Sequence, residues 1–205
     1  MKWKHFVDSH KLATSLAILV MMALHDQWDN PTAWIYLALH GTYGILWALK
    51  SRIFGDKTWE QEITLLLGIA LWAGLSFYWV APWIVTSQAV QAPPWRTALC
   101  VSLFGFGVFF HFGSDMQKNI TLKLQPGKLI TTGMFARCRN PNYFGELLIY
   151  LSFVLLVFHW LPAVIFGIFI GYWFFRMYQK DKSLSRYPEF EAYRKQSKLF
   201  IPFLF

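Results

Sequence analysis

Residues 127–146 read GKLITTGMFARCRNPNYFGE and separate two long apolar segments of the chain. Three basic side chains, Lys128, Arg137 and Arg139, occur in this central stretch together with two asparagines, a tyrosine and a glutamate. Arginine and lysine donate charge-assisted hydrogen bonds to phosphates and carboxylates. A basic loop that only sets membrane topology needs the cations but not the amides, the phenol or the carboxylate. The stretch therefore favours a binding site for an anionic ligand over a simple cytoplasmic connection.

The composition around this stretch is that of an integral membrane protein. The chain has 205 residues, of which 56% are hydrophobic and only 15% are charged, whereas roughly a quarter is usual for soluble domains. A soluble domain of this length has too little interior to bury so much apolar surface. The basic residues lie between apolar segments, so the net charge of +8 indicates membrane topology and not nucleic acid binding. No CxxC motif or His/Cys cluster indicates a metal site.

Six apolar runs predict an all-α polytopic protein with about six transmembrane helices. The runs cover about residues 12–28, 32–49, 63–86, 97–113, 144–158 and 162–178, and about 20 residues cross the hydrocarbon core. If both termini are cytoplasmic, only Arg96 of the 19 lysines and arginines lies outside. We expect residues 1–95 to form the substrate side, and residues 96–205 to form a cofactor-binding half with a cytoplasmic tail.

The end of the fourth run has a polar face. His111, Ser114, Asp115 and Lys118 lie three or four residues apart, so a helix places them on one side. A histidine and an aspartate at the end of a membrane span are unfavourable unless they are paired or hydrated. The face is either an interfacial cap or one wall of a polar pocket that opens to the cytoplasm.

The segment RNPNYFGE, residues 139–146, predicts the start of the fifth helix. Asn142 is the expected N-cap and Tyr143 belongs to the first turn. A helix N-terminus offers unpaired N–H groups that suit a phosphate. Glu146 follows one turn inside the helix, where a carboxylate needs a partner such as Arg137, Arg139 or a ligand amide. A capping glutamate is the alternative.

The second run carries two polar side chains on one face. His40 and Tyr43 are three residues apart in an otherwise apolar segment. Together they are candidates to protonate or hold the carbonyl oxygen of a substrate. The alternative is that His40 is an ordinary core histidine with a hydrogen-bond partner.

The tail, residues 176–205, is rich in tyrosine, lysine and arginine. One interpretation is a basic amphipathic helix that lies on anionic lipid. In the other, four side chains fold under the helices and close a pocket against the central stretch: Arg176, Lys180, Tyr187 and Tyr193.

Four motifs resemble the C-terminal half of the membrane steroid 5-alpha-reductases. They are GSDMQ at 113–117, ITTGMF at 130–135, RNPNYFGE at 139–146 and FEAYRKQSKLFIPFLF at 190–205. The resemblance covers about residues 105–205 and is closest to bacterial and plant relatives of unassigned substrate. The wider superfamily also contains sterol reductases and the isoprenylcysteine and phospholipid methyltransferases.

The resemblance implies an NADPH site. Asp115, Asn142 and Glu146 match positions that contact the cofactor in the reductases, and Lys128 stands where that family has a basic residue. Methyltransferase relatives usually read Arg-His-Pro-x-Tyr-x-Gly and bind S-adenosylmethionine, but this chain has Asn140 in place of that histidine. With the polar face and the tail included, the predicted cofactor-binding residues are His111, Asp115, Lys118, Lys128, Arg137, Arg139, Asn142, Tyr143, Glu146, Arg176, Tyr187 and Tyr193.

These expectations combine into one functional hypothesis. The chain is predicted to be an NADPH-dependent reductase of a lipophilic enone that enters from the bilayer, with His40, Tyr43 and Glu146 as the catalytic residues. The alternatives are a methyltransferase that uses S-adenosylmethionine on a lipid or prenylated thiol, and a non-catalytic lipid-binding protein. The expected location is the bacterial inner membrane or the endoplasmic reticulum, with the site facing the cytoplasm.

The charge asymmetry leads to a topological prediction. A single cysteine introduced at position 30 should react with a membrane-impermeant maleimide from outside, and one at position 183 only from the cytoplasmic side. Labelling in intact and permeabilised cells makes the comparison, with Cys100 and Cys138 replaced by serine beforehand. The reverse pattern would overturn the whole arrangement.

Overall fold

Eight α-helices make up most of residues 1–204, the part of the chain that the computed structural model describes. In chain order they are α1 (Trp3–Leu24), α2 (Pro31–Phe54), α3 (Leu65–Leu75), α4 (Val80–Ser87), α5 (Pro94–Leu124), α6 (Pro141–Val157), α7 (Trp160–Leu184) and α8 (Phe190–Gln196). Short 3₁₀ turns occur at Lys57–Glu60, Ser76–Trp79 and Gly133–Phe135. Over these described residues the β-type pairing is limited to two isolated bridges, so the all-α prediction is confirmed.

Four helical segments are long and apolar enough to cross a membrane. They are α1, α5, α7 and the segment Leu65–Ser87, in which α3, a 3₁₀ turn and α4 follow one another without a gap. α6 is also apolar but has only 17 residues, at the lower limit of a span. These helices indicate an integral membrane protein. The count of six spans and the cytoplasmic placement of both termini stay predictions.

The first turn of α6 differs from the expectation. The helix begins at Pro141, a position that suits proline because its missing N–H would have no intrahelical partner there. The amide N–H of Phe144 donates to the carbonyl oxygen of Asn140 at 3.1 Å, which places Asn140 at the N-cap position. The prediction that Asn142 is the N-cap is therefore wrong, because Asn142 already lies inside the first turn.

The chain forms two compact units that are interleaved in sequence. The N-terminal unit consists of Met1–Ser102 and Leu151–Ile165, and the C-terminal unit consists of Leu103–Tyr150 and Phe166–Phe205. The proposed division of function, with substrate in the first half and cofactor in the second, stays a prediction.

Glycines bring α1 and α2 together in the N-terminal unit. A side-chain carbon at Gly44 would overlap the backbone carbonyl of Lys11, and one at Gly41 would lie 2.7 Å from the hydroxyl oxygen of Ser15. Small residues on one helix face let two backbones approach closely within a membrane. The close approach places Lys11 over the aromatic ring of Tyr43 on α2, with the ammonium nitrogen 4.4 Å from the ring centroid.

Glycines also set the distance between α5 and α6 in the C-terminal unit. A side-chain carbon at Gly145 would overlap the backbone of His111, and one at Gly107 would lie 2.7 Å from the carbonyl oxygen of Gly145. α5 also continues through Asp115 to Leu124, past the end of the apolar run. The first two turns of α6 therefore pack directly on the half of α5 that carries the polar face.

The tail returns to the central stretch instead of lying apart from it. An isolated parallel bridge pairs Cys138 with Lys198. The amide N–H of Arg139 donates to the carbonyl of Lys198 at 2.8 Å, and the amide N–H of Lys198 donates to the carbonyl of Arg137 at 3.0 Å. This pairing holds the segment after α8 next to the connection that leads into α6.

Candidate functional site

A histidine joins α5 to the start of α6. His111 is buried, and its Nδ1 lies 3.1 Å from the backbone carbonyl oxygen of Asn142. The hydroxyl of Ser114 donates to the carbonyl of His111 at 3.2 Å. His111 thus contacts the backbone at Asn142, and Ser114 bonds to the backbone of His111 within α5. His111 lies at the predicted site, and the structure gives it a positioning contact there.

The first two turns of α6 present a polar surface. Asn142 and Glu146 are four residues apart and share one side of the helix. The side-chain oxygen of Asn142 is buried, and no group in residues 1–204 donates a hydrogen bond to it. The side chain of Tyr143 is hydrogen-bonded to Arg176 and lies within electrostatic range of Glu146. The structure thus brings together four of the predicted cofactor-binding residues.

A buried lysine connects the polar face of α5 to the central stretch. The ammonium group of Lys180 donates to the carbonyl of Arg139 at 2.8 Å and to the side-chain oxygen of Asn140 at 3.0 Å. Asp115 and Lys118 lie within electrostatic range of Lys180. Asp115 partly neutralises the two ammonium groups, so this part of the site keeps a net positive charge that suits an anionic ligand.

Arg139 is engaged in a buried ion pair. Its Nε lies 3.0 and 3.1 Å from the two carboxylate oxygens of Asp181, and its second terminal nitrogen lies 2.9 Å from one of them. The remaining terminal nitrogen donates to the carbonyl oxygen of Ser197 at 2.7 Å. All three guanidinium nitrogens therefore bond to the protein itself. The assignment of Arg139 to the cofactor-binding residues stays a prediction, but this conformation uses the side chain to hold α7 and the tail together.

The tail is also held by a thiol and a phenol. The Cys138 thiol donates to the carbonyl of Phe200 at 3.1 Å, and the Tyr193 hydroxyl donates to the carbonyl of Phe135 at 2.7 Å. Burial raises the pKa of the Cys138 thiol to about 11 and also raises the pKa of Tyr193. Both groups therefore keep their protons at neutral pH and act as donors. Tyr193, predicted to bind cofactor, has its hydroxyl in an internal hydrogen bond.

Three predicted residues lie nearer the surface of the C-terminal unit. Lys128 and Arg137 are exposed in the central stretch, and Tyr187 is half-buried next to the guanidinium group of Arg186. Exposed cations are available to an anionic ligand in a way that the internally bonded Arg139 is not. Gly127, beside Lys128, has φ +80°, a conformation that favours glycine and turns the chain after α5.

The two predicted catalytic residues of the first half lie in the N-terminal unit. His40 is buried, its Nδ1 is 3.2 Å from the hydroxyl oxygen of Tyr36, and its ring stacks on Phe153 at 4.5 Å between centroids. Tyr43 is fully buried beneath the ammonium group of Lys11. Sequence reasoning placed both on one helix face, and their catalytic roles stay predictions.

Sequence reasoning missed several residues that build the site. Gln117 accepts from the backbone N–H of Met134 at 3.0 Å and donates to the carbonyl of Thr132 at 2.8 Å, which ties α5 to the central stretch. Gln117 lies three residues after Ser114, so the helical spacing of the polar face was a signal for it. Asp181 and Ser197 had no comparable signal, because their partner lies far away in sequence.

The candidate residues of the C-terminal unit offer both hydrogen-bond acceptors and cations. Asn142 offers a buried oxygen that accepts hydrogen bonds, Glu146 offers a carboxylate on the same helix face, and Lys128 and Arg137 offer exposed cations. Such a donor and acceptor set suits an amide-bearing and phosphate-bearing ligand. In the described part of the chain, His, Cys, Asp and Glu side chains form no group of three or more that is arranged to hold a metal ion.

Comparison with known proteins adds one match. A family model described as 3-oxo-5-alpha-steroid 4-dehydrogenase matches residues 74–205, which is more than half of the chain. The match includes the polar face of α5, the central stretch, α6 and the tail. No curated protein matches the chain, and no solved structure matches it.

The ion pair between Arg139 and Asp181 leads to a stability prediction. Asp181→Asn should lower the free energy of unfolding by about 3 kcal/mol, because it leaves a buried guanidinium group without its counter-charge. Thermal unfolding of the purified protein in detergent measures the effect. Arg194→Ala is the matched control, because its exposed ion pair with Glu191 at 3.8 Å contributes less than about 1 kcal/mol. Equal effects of the two substitutions would show that the ion pair between Arg139 and Asp181 does not stabilise the protein more than an exposed ion pair does.

Proposed function

The chain belongs to the 3-oxo-5-alpha-steroid 4-dehydrogenase family, and on this premise we propose that it uses NADPH to reduce a carbon–carbon double bond next to the carbonyl group of a lipophilic substrate. Family membership makes it a membrane oxidoreductase that acts on a CH–CH group of a steroid-like molecule. The cofactor, the enone and the roles of individual residues are the parts that we propose. The substrate would enter from the bilayer, and the cofactor from the cytoplasm.

One observation carries the cofactor proposal. At the start of α6 a buried amide oxygen of Asn142 has no hydrogen-bond donor among the described residues, and Glu146 lies one turn further on the same side. Buried acceptors are nearly always hydrogen-bonded. A carboxamide, such as the one on nicotinamide, presents N–H donors to both oxygens and has no charge. Asn142 and Glu146 would thus orient the nicotinamide ring.

Cations would hold the phosphates. Lys128 and Arg137 are the exposed basic residues of the central stretch, and Lys118 and Lys180 add positive charge beside Asp115. When bound, NADPH would supply the hydride, and the protein would supply orientation and exclude water. Arg139 would act indirectly, because its bonds to Asp181 and Ser197 keep the central stretch in place.

The N-terminal unit supplies the candidates for the substrate carbonyl. His40 and Tyr43 are buried in an apolar unit, and the hydroxyl of Tyr36 lies 3.2 Å from Nδ1 of His40. A neutral imidazole or a phenol donates a hydrogen bond to a carbonyl oxygen and provides a proton when negative charge develops there. We propose that His40 or Tyr43 has this role.

Ligand-dependent stabilisation tests the proposed cofactor. NADPH and NADP⁺ at about 100 times their dissociation constants should stabilise the purified full chain by about 2.7 kcal/mol, by mass action. Thermal shift in detergent measures this, with S-adenosylmethionine in a parallel sample. Stabilisation only by S-adenosylmethionine would favour the methyltransferase alternative, and stabilisation by none of the three would favour the non-catalytic lipid-binding protein.

The role of Glu146 leads to a prediction on binding and turnover. Glu146→Gln should retain the fold but lose at least about tenfold in cofactor affinity or turnover. The carboxylate of glutamate accepts hydrogen bonds through two oxygens, whereas the amide of glutamine has one oxygen acceptor and one NH₂ donor. A tenfold loss corresponds to about 1.4 kcal/mol, which is within reach of one charge-assisted hydrogen bond. Titration with NADPH and the rate of NADPH oxidation with an enone steroid measure the two quantities.

A control separates this effect from a general loss of carboxylate charge. Glu189→Gln removes an exposed carboxylate just before α8 in the same unit and should leave both quantities unchanged. If Glu146→Gln binds and turns over like the unmodified chain, the start of α6 does not hold the nicotinamide.

A further inference from the structure

His10 on α1 is a buried histidine without hydrogen bonds to its ring. The residue is 1% exposed, and neither Nδ1 nor Nε2 is bonded to any group within residues 1–204. Native proteins rarely bury a ring donor and a ring acceptor without partners, because both lose their hydrogen bonds to water. The side chain therefore points to a missing polar partner.

The other histidines away from the surface all have such a partner. His25 bonds to the hydroxyl of Thr86 at 3.0 Å, and His40 bonds to the hydroxyl of Tyr36 at 3.2 Å. The remaining two bond to backbone groups: His111 to the carbonyl of Asn142, and His159 to the amide N–H of Leu161. His10 differs from them in its surroundings and not in its residue type.

Two tryptophans enclose the ring of His10. Trp79 stacks on it with centroids 5.0 Å apart and an interplanar angle of 18°, and Trp72 meets it edge-on at 4.9 Å. The indole N–H of Trp79 donates to the hydroxyl of Thr14 at 3.0 Å, and that hydroxyl donates to the carbonyl of His10 at 2.9 Å. The walls are thus flat and apolar, and the indole N–H of Trp79 bonds to Thr14 and not to a ring nitrogen of His10.

The wall that contains Trp79 belongs to an interrupted helix. The apolar segment Leu65–Ser87 is α-helical except at Ser76–Trp79, where it forms a 3₁₀ turn. Such breaks inside a long helix often mark a hinge. Movement at this turn would break the bond between Trp79 and Thr14, draw Trp79 away from His10 and open the ring nitrogens to a ligand from the bilayer.

A neighbouring charge restricts the chemistry of that ligand. The ammonium nitrogen of Lys11 lies 4.4 Å from the ring centroid of Tyr43, 5.3 Å from that of Trp47 and 5.6 Å from that of Tyr78. This cation next to His10 disfavours a cationic ligand. A neutral imidazole has one N–H donor and one acceptor, and a hydroxyl group both donates and accepts, so it complements either nitrogen.

We propose that His10, Trp72 and Trp79 form a binding site within the N-terminal unit for an uncharged, flat, lipophilic alcohol. Its hydroxyl group bonds to the imidazole of His10 and its ring system packs on the two indoles. The choice of a steroid-like ligand rests on the proposed function, but the site itself rests on the unbonded ring nitrogens and the aromatic walls.

A binding experiment on the full chain in lipid nanodiscs tests this site. The probes are dehydroergosterol, a fluorescent 3-hydroxysterol, and its 3-deoxy analogue, and the signal is energy transfer from the protein's tryptophans. The unmodified chain should bind the hydroxysterol at least about tenfold more tightly than the deoxy analogue. His10→Phe should abolish this difference because it keeps a flat ring and removes both nitrogens, whereas His10→Gln should retain part of it.

His25→Phe is the matched control. It also removes a histidine from the N-terminal unit, but this histidine already has a hydrogen-bond partner in Thr86. It should preserve the discrimination between the two sterols. The site is disproved if the unmodified chain does not distinguish the sterols, or if His10→Phe distinguishes them as well as the unmodified chain does.

Thermal unfolding without sterol gives a second, independent readout. His10→Phe should unfold at the same temperature as the unmodified chain or higher, because no hydrogen bond is lost. His25→Phe should unfold at a lower temperature, because Thr86 loses its ring partner. A loss of stability in His10→Phe as large as that in His25→Phe would show that His10 is an ordinary hydrogen-bonded core residue, and would overturn the proposal.

The rate of NADPH oxidation with an enone steroid separates this inference from the proposed function. Sterol binding that depends on His10 without any reductase activity would support the site and count against the reductase. Reductase activity with sterol binding that is independent of His10 would support the reductase and overturn the site.

Discussion

The ion pair between Arg139 and Asp181 is the interaction on which the C-terminal unit depends. A guanidinium group at this depth is stable only when its nitrogens are bonded and its charge is balanced, and here Asp181 and the carbonyl of Ser197 do both. The pair joins the central stretch, α7 and the tail at one point. The bridge between Cys138 and Lys198 and the bonds of Lys180 to the central stretch lie directly next to it.

This constraint divides the basic residues of the central stretch by role. Arg139 is engaged internally, and the neighbouring Arg137 is exposed although it lies only two residues away. Lys128 is exposed as well. If a phosphate binds here, the exposed cations are free to approach it, while Arg139 keeps the segment that presents them in one conformation. The positive charge of Arg139 thus stabilises the structure, whereas that of Arg137 is available to bind a ligand.

The N-terminal unit shows a similar division among histidines. His40 has a tyrosine hydroxyl beside it, whereas His10 has one indole stacked on its ring and a second indole edge-on to it. A hydroxyl satisfies a ring nitrogen, whereas an indole face gives a contact but no conventional hydrogen bond to it. The close packing of α1 on α2 at Gly44 leaves little room to rearrange. The 3₁₀ turn at Ser76–Trp79 therefore becomes the most suitable place for movement around His10.

The sequence by itself determined the membrane class, the all-α fold, the approximate helices and the family, because apolar runs and the PNYxGE motif are local patterns. Helical spacing also placed Asn142 with Glu146 and His40 with Tyr43. Only the tertiary structure decided that Asn140 precedes α6 as its N-cap, that Asp181 is the partner of Arg139, and that the nitrogens of His10 are unbonded. Those outcomes depend on which side chains from distant parts of the sequence come into contact, and on which of their donors and acceptors are then bonded. The local spacing of residues along a helix contains neither kind of information.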